Sequence, residues 1–278
     1  MKKLLTETLI TIENYKAVKP HCNDLFDILS EMLIVREEYR QKMKLMSFTL
    51  EERLISKKLE GGLPLLDLSA GDYNLAPAKD YFLRLLEIVE NRAPGETTEF
   101  TRQTIEGKID FDEMIRNSFS FNAGSIEEVT LDIDDDAFDL VELFLEESLR
   151  PALEDFAEEY GDIIRNSGWN EGYCPICGKE PKIGEIKGEE GRFLFCNQCG
   201  FEWNYSRVKC PFCGNEEQQT LAYFTVEGDE RYRVDVCNIC KRYVKMVDFS
   251  DSDEKANLDV EDIATLHLDM LAAEEGYE

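Results

Sequence analysis

The chain has 278 residues, 31 Lys+Arg against 59 Asp+Glu, a formal net charge of −28 and a pI near 4.4. Cations set against phosphates supply most of the affinity for nucleic acid. A chain this acidic is therefore repelled by DNA, RNA and anionic membrane surfaces unless one compact basic patch overrides the rest. With 43% hydrophobic and 10% aromatic residues it is globular rather than disordered, and its length suggests two or three compact units. No apolar run approaches the roughly 18 residues of a membrane helix. The start, Met1 to Glu7, opens basic but turns acidic and polar before a signal-peptide core forms. The expected compartment is the cytoplasm, with no membrane insertion.

Residues 1–169 read as an acidic, all-α domain. Leu25, Ile28, Leu29, Met32 and Val35 recur at helical spacing, as do Phe82, Leu85, Leu86 and Val89 behind Pro77, and Phe138, Val141, Phe144 and Leu145 behind Asp134 to Asp136. A last long helix is expected from about Glu147 through Ile164, started or kinked by Pro151. Gly61-Gly62, Ala93-Pro94-Gly95 and Asn122-Ala123-Gly124 break the helices. Charge is uneven: −17 over residues 1–169, −2 over 170–249 and −9 over 250–278. The acidity belongs to the helical parts, not to the middle segment.

That middle segment holds eight of the nine cysteines, as four Cys-x-x-Cys pairs: Cys174/Cys177, Cys196/Cys199, Cys210/Cys213 and Cys237/Cys240. In a reducing compartment such pairs fit tetrahedral thiolate metal sites better than disulfides. Two spans follow, residues 170–208 and 209–249, each a small β module of the four-cysteine ribbon type, and each set of four cysteines is the ligand set for one iron or zinc ion. A cross-braced pairing of the first knuckle with the third also satisfies the spacing. A tight turn aims both sulfurs of a pair at one ion and frees its N–H groups to bond them. The residue after the turn often needs a positive φ, which suits Gly178, Gly200 and Gly214. At the fourth knuckle that place is taken by Lys241, which is strained or belongs to a different turn.

Strands are expected at Arg192 to Phe195, Trp203 to Val208, Leu221 to Val226, Arg231 to Val236 about a Gly228-Asp229 turn, and Tyr243 to Val247. They are too short for a large core, so metal substitutes for buried area and a chelator should unfold this region. Lys179, Lys209 and Lys241 lie beside cysteines, where they offset thiolate charge or are ordinary surface lysines. Residues 250–278 form a polar linker and a docking helix capped by Asp259, with Val260, Ile263, Ala264, Leu266, Met270 and Leu271 apolar and the helical domain or second module as receiver.

Trp169 with Cys174-Pro175-Ile176-Cys177-Gly178, Phe195-Cys196-Asn197-Gln198-Cys199, Glu202-Trp203, Arg207-Val208-Lys209-Cys210, Cys237-Asn238-Ile239-Cys240 and Ala264 to Asp269 resemble the formate dehydrogenase accessory proteins, FdhE. The resemblance covers roughly residues 169–278; before that it rests mainly on Gly62 to Leu66 and the Pro151 helix. It implies a cytosolic assembly factor without turnover of its own. Its client is the catalytic subunit of a respiratory formate dehydrogenase, commonly exported by the twin-arginine route after cofactor loading. It further implies rubredoxin-like, iron-associated sites whose eight ligands also form part of the client surface.

Two other classes compete. One is a redox protein, with iron–thiolate sites carrying electrons or cysteine pairs exchanging disulfides. The other is a nucleic-acid-binding zinc ribbon, which the charge opposes. Four thiolates close a site, so the metals are structural rather than catalytic. Cys22 reads as a core residue, and His21 and His267 as non-ligands. The acidic run at Asp132 and Asp134 to Asp136 is helix N-terminal charge rather than a calcium loop. No Ser-His-Asp pattern, phosphate loop or dinucleotide fingerprint appears. Oligomeric state is not encoded in any of these features.

Overall fold

The structure, a computed structural model, describes residues 2–44, 46, 48, 50–71, 73–119, 135–226, 228–250 and 255–278. The N-terminal part is helical: α1 (Lys2–Val18), α2 (Asn23–Met43), α3 (Glu52–Glu60), α4 (Ala76–Arg92), α5 (Thr98–Ile105), α6 (Phe111–Ser118), α7 (Asp135–Glu147) and α8 (Arg150–Arg165). Asp110 caps α6 by accepting from the N–H groups of Asp112 and Glu113. Pro151 sits in the first turn of α8, where its missing N–H costs nothing, so it starts this helix rather than kinking it.

The expected apolar stripes are the buried ones. Phe82, Leu85, Leu86 and Val89 of α4 meet Val141, Phe144 and Leu145 of α7, and all are at most 2% exposed. In α2, Leu29, Met32 and Val35 are buried while Leu25 faces out. The Asn122-Ala123-Gly124 break and Asp132 and Asp134 lie outside the described residues, as do the side chains of Asp135, Asp136 and Phe138.

The cysteine-rich part forms one sheet of six strands: β1 (Ile183–Lys187), β2 (Gly191–Phe195), β3 (Glu202–Tyr205), β4 (Leu221–Val226), β5 (Asp229–Cys237) and β6 (Tyr243–Asp248). Their order is β3-β2-β1-β6-β5-β4. Within residues 170–208 and within 209–249 neighbouring strands are antiparallel, but β1 and β6 join the two halves in parallel, Ile183 opposite Lys245. A close approach adds to the join: a Cβ on Gly172 would stand 1.8 Å from the Pro211 carbonyl oxygen, so only glycine fits there.

The C-terminal segment is two helices rather than one, α9 (Leu258–Ala264) and α10 (Leu266–Glu274). The cap is Asn257, whose side chain accepts from Val260 N–H, and not Asp259, which is engaged elsewhere. The break falls at Thr265, whose hydroxyl donates back to Glu261 O at 2.7 Å. Both expected receivers are used: α9 packs on α1, α2 and β1, and α10 on β5 and β6. Leu268 and Ala272 close a small core with Val234 and Val236, whereas Cys174, Cys196, Cys199 and Trp203 belong to the large core of the helices.

Candidate metal centres

The four knuckles share one backbone pattern. The N–H of the residue after each second cysteine donates to the carbonyl of the first cysteine, at 2.9 Å (Gly178), 2.8 Å (Gly200), 3.0 Å (Gly214) and 2.9 Å (Lys241). All four of these residues are left-handed, with φ of 78°, 70°, 72° and 60°. The fourth turn is therefore of the same type as the others, and Lys241 is the one non-glycine with positive φ among the described residues.

The turns deliver their sulfurs in consecutive, not cross-braced, pairs. Cys174, Cys177, Cys196 and Cys199 form one group and Cys210, Cys213, Cys237 and Cys240 the other, with the sulfurs of each within 4.8 Å of one another. Cys174 Sγ and Cys199 Sγ are 3.4 Å apart, as are those of Cys177 and Cys196. In the second group Cys210/Cys240 and Cys213/Cys237 are 3.7 Å apart. A tetrahedral ion with bonds of about 2.3 Å to sulfur separates its ligands by about 3.8 Å, so both donor sets fit one such ion. Burial acts to raise the Cys237 thiol, but the N–H groups of Cys240 and Ile239, together with hydrogen bonds to the Cys213 and Cys240 thiols, outweigh it and bring it down to about 7. Such N–H donation to a thiolate is what the tight turn makes available.

The two centres differ in exposure. In the first, Cys174, Cys196 and Cys199 are buried and Cys177 is half-buried; in the second, Cys213 is exposed and Cys240 half-buried. The helical domain grips the first centre directly. Leu65 and Leu66 donate their N–H groups to the carbonyls of Pro175 and Ile176 at 2.9 and 2.8 Å, Gln198 Nε2 donates to Glu146 O at 2.8 Å, and Arg150 donates to Asn197 O.

Arg150 also pairs with Glu154 and Asp259, each at closest 2.8 and 2.9 Å, and lies over the Phe195 ring. Beside it, Arg36 makes a two-pronged pair with Glu147 at 2.7 Å, and Tyr81 OH donates to the same carboxylate at 2.8 Å. Burial opposes the charge on Arg36, yet Glu147, Glu154 and Asp259 outweigh it and push its pKa up. This network ties α2, α4, α7, α8, α9 and the second knuckle together.

Residues 173–207 match the family described as the FdhE central domain, and residues 208–278 the FdhE C-terminal domain. The chain is 31% identical over 264 residues to the Protein FdhE homolog of Aquifex aeolicus, covering 93% of this chain and 87% of that one. The chain belongs to the FdhE family. The FdhE homolog of Pseudomonas aeruginosa is 39% identical over 114 residues, 37% of this chain and 36% of that one. The crystal structure of the FdhE protein from Pseudomonas aeruginosa shares the fold, with a TM-score of 0.69 at 20% identity over 100% of this chain and 94% of that one.

Within this FdhE chain the remaining candidates fall outside the centres. Cys22 is a buried core residue, 4% exposed, and neither His21 nor His267 joins a metal-ligating group among the described residues. The three lysines beside the knuckles have other partners: Lys179 pairs with Glu146, Lys209 stands 3.9 Å from Glu216, and Lys241 donates to Asn238 Oδ1 at 3.2 Å. No helix among the described residues is long and apolar enough to cross a membrane. Sequence reasoning missed β1 and the buried ion network; Ile183 and Ile186 were the only trace of the strand.

Proposed function

We propose that the protein is a cytoplasmic assembly factor that binds the catalytic subunit of a formate dehydrogenase and supports its activation before export. Membership of the FdhE family carries this reading. The protein has no turnover of its own: four thiolates close each centre and leave no open coordination position for a substrate. Cys174, Cys177, Cys196 and Cys199 hold one iron or zinc ion, and Cys210, Cys213, Cys237 and Cys240 a second. The first ion fixes the sheet to the helices; the second orders the outer half of the sheet. The helical part, at −17, attracts a basic client segment and speeds encounter more than it tightens the complex.

The test is association of the purified, metal-loaded protein with the catalytic subunit at low and at moderate ionic strength. Saturable binding whose on-rate falls with salt supports the reading; binding indifferent to salt removes the electrostatic part, and no binding removes the client. A rubredoxin-like electron carrier is a second reading, favoured only by the exposed Cys213 of the second centre. A visible ferric–thiolate band that bleaches and returns in step with turnover of a partner enzyme would select it.

A further inference from the structure

In a chain of net charge −28, one cleft runs against the overall sign. It has a volume of about 390 Å³ and lies between the Arg207 to Phe212 stretch and strands β4 and β5. Arg192, Arg207, Lys209, Arg233 and Arg242 line it, against the single carboxylate of Asp235. Two other clefts among the described residues are balanced, with four cationic against five acidic residues in one and five against five in the other.

Asp235 serves two arginines at once, Arg192 at 3.1 Å and Arg233 at 2.8 Å. Arg207 donates to the Gly188 carbonyl, which neutralises no charge. Arg192 is 3% exposed, and its Nε finds no hydrogen-bond partner. The other deeply buried arginines show how unusual this is. Arg36 and Arg150 are each surrounded by several carboxylates that raise their pKa values, whereas burial holds Arg192 below its ordinary value despite Asp235. At the wall of the cleft this buried cation shares its one carboxylate with Arg233 and otherwise donates to the Lys209 carbonyl at 2.6 Å, so positive charge there is only partly matched. The cleft rim is apolar and aromatic: Phe212, Leu221 and Tyr223, the last 64% exposed with Arg233 over its ring at 5.0 Å.

We propose that this cleft binds a small organic oxyanion, a phosphate or carboxylate group carried on an apolar ring, with Arg192, Arg207 and Arg233 on the oxyanion and Tyr223 and Phe212 beside the ring. The volume falls within the range of about 300–1,000 Å³ usual for small-molecule sites. The thiolates of the second centre are the other claimant on these cations. Their charge acts on Arg242, which already holds Glu180 in a two-pronged pair at 2.8 and 2.6 Å, so Arg242 is left out of the oxyanion set.

The experiment titrates the full-length, metal-loaded protein with inorganic phosphate, phenyl phosphate, phenylacetate and an acidic peptide, read by calorimetry and by thermal shift. Saturable binding of phenyl phosphate or phenylacetate, tighter than inorganic phosphate, is expected; whichever binds tighter identifies the oxyanion. Arg233→Met and Arg207→Ala should each weaken it by about tenfold, the loss of one charge-assisted hydrogen bond, while Arg165→Ala on α8 leaves it unchanged. Both cleft variants alter partly or fully exposed side chains, so folding is retained and is checked by metal content. No saturable binding of either aromatic anion, binding untouched by both cleft variants, or binding of the acidic peptide alone would overturn the proposal. In the first case the cations serve only the thiolates.

Discussion

Replacing Cys174 by Ser in one protein and Cys210 by Ser in another separates the two centres by what each holds in place. Cys174 is 0% exposed and sits in the apolar core of the helices, with Leu65 and Leu66 hydrogen-bonded to the turn that follows it. Losing the first ion slackens the knuckles on which Arg150 and Gln198 are anchored. A buried charge deprived of a partner costs about 3–5 kcal/mol, and a structural ion contributes on the order of 10 kcal/mol. The whole stability of a folded domain is about 5–15 kcal/mol. The helices should therefore melt with the first centre. Even the network loss alone, about 4 kcal/mol at about 2–4 °C per kcal/mol, lowers the helical Tm by about 8–16 °C. Cys210→Ser instead loosens a knuckle whose neighbours Cys213, Gly214 and Glu216 already face solvent, while β5 and β6 keep their cover from α10. Its helical Tm should move by no more than about 4 °C. Circular dichroism melts at a helical wavelength, with metal content measured on each protein, make the comparison. Equal shifts, or an unchanged helical melt in Cys174→Ser, would refute the reasoning.

Three further outcomes are expected. Arg36→Met leaves the Glu147 carboxylate, 7% exposed, without its main partner and should cost about 3–5 kcal/mol in denaturant unfolding; a cost below about 1 kcal/mol would show that the pair behaves like a surface one. Glu261 is 2% exposed, and burial raises its carboxyl pKa despite hydrogen bonds from Tyr15 and Tyr232. With the folded pKa above the unfolded one, its contribution is favourable at acidic pH and is lost as pH rises through the folded value. Glu261→Gln should therefore gain on the wild type as pH is raised from acid to neutral, and a stability difference flat across that range would contradict it. Lys241→Gly relieves a left-handed residue and should stabilise by up to about 1 kcal/mol with metal retained; destabilisation would mean that the Asn238 and Tyr277 contacts of Lys241 dominate.

What was legible in the sequence was what is local. The four knuckles declare themselves because two cysteines three positions apart must share one turn, and the glycines after them mark its handedness. The helices of Leu29 and of Phe82 were legible from spacing alone. The choice of consecutive over cross-braced pairing was not, because it depends on β1 to β3 and β4 to β6 each forming an antiparallel half, joined by β1 and β6. That β1–β6 pairing is parallel and spans some sixty residues, so no turn signal announces it. Arg36, Glu147, Arg150, Glu154 and Asp259 were invisible for a different reason. In sequence they are ordinary helix-surface charges, and only packing of five helices around them makes them a buried network. The cationic cleft is likewise assembled from residues far apart in sequence, Arg192 to Arg242, within a segment whose total charge is nearly neutral.

The most direct test of the proposed function is made in the native host. The gene for this protein is deleted, and the catalytic subunit of the formate dehydrogenase is followed for its accumulation, its cofactor content and its activity. The subunit is expected to be made but to stay inactive, to regain activity when the intact protein is restored, and to be carried by the protein captured from that strain. Full formate dehydrogenase activity without the protein, and no subunit in the captured complex, would contradict it.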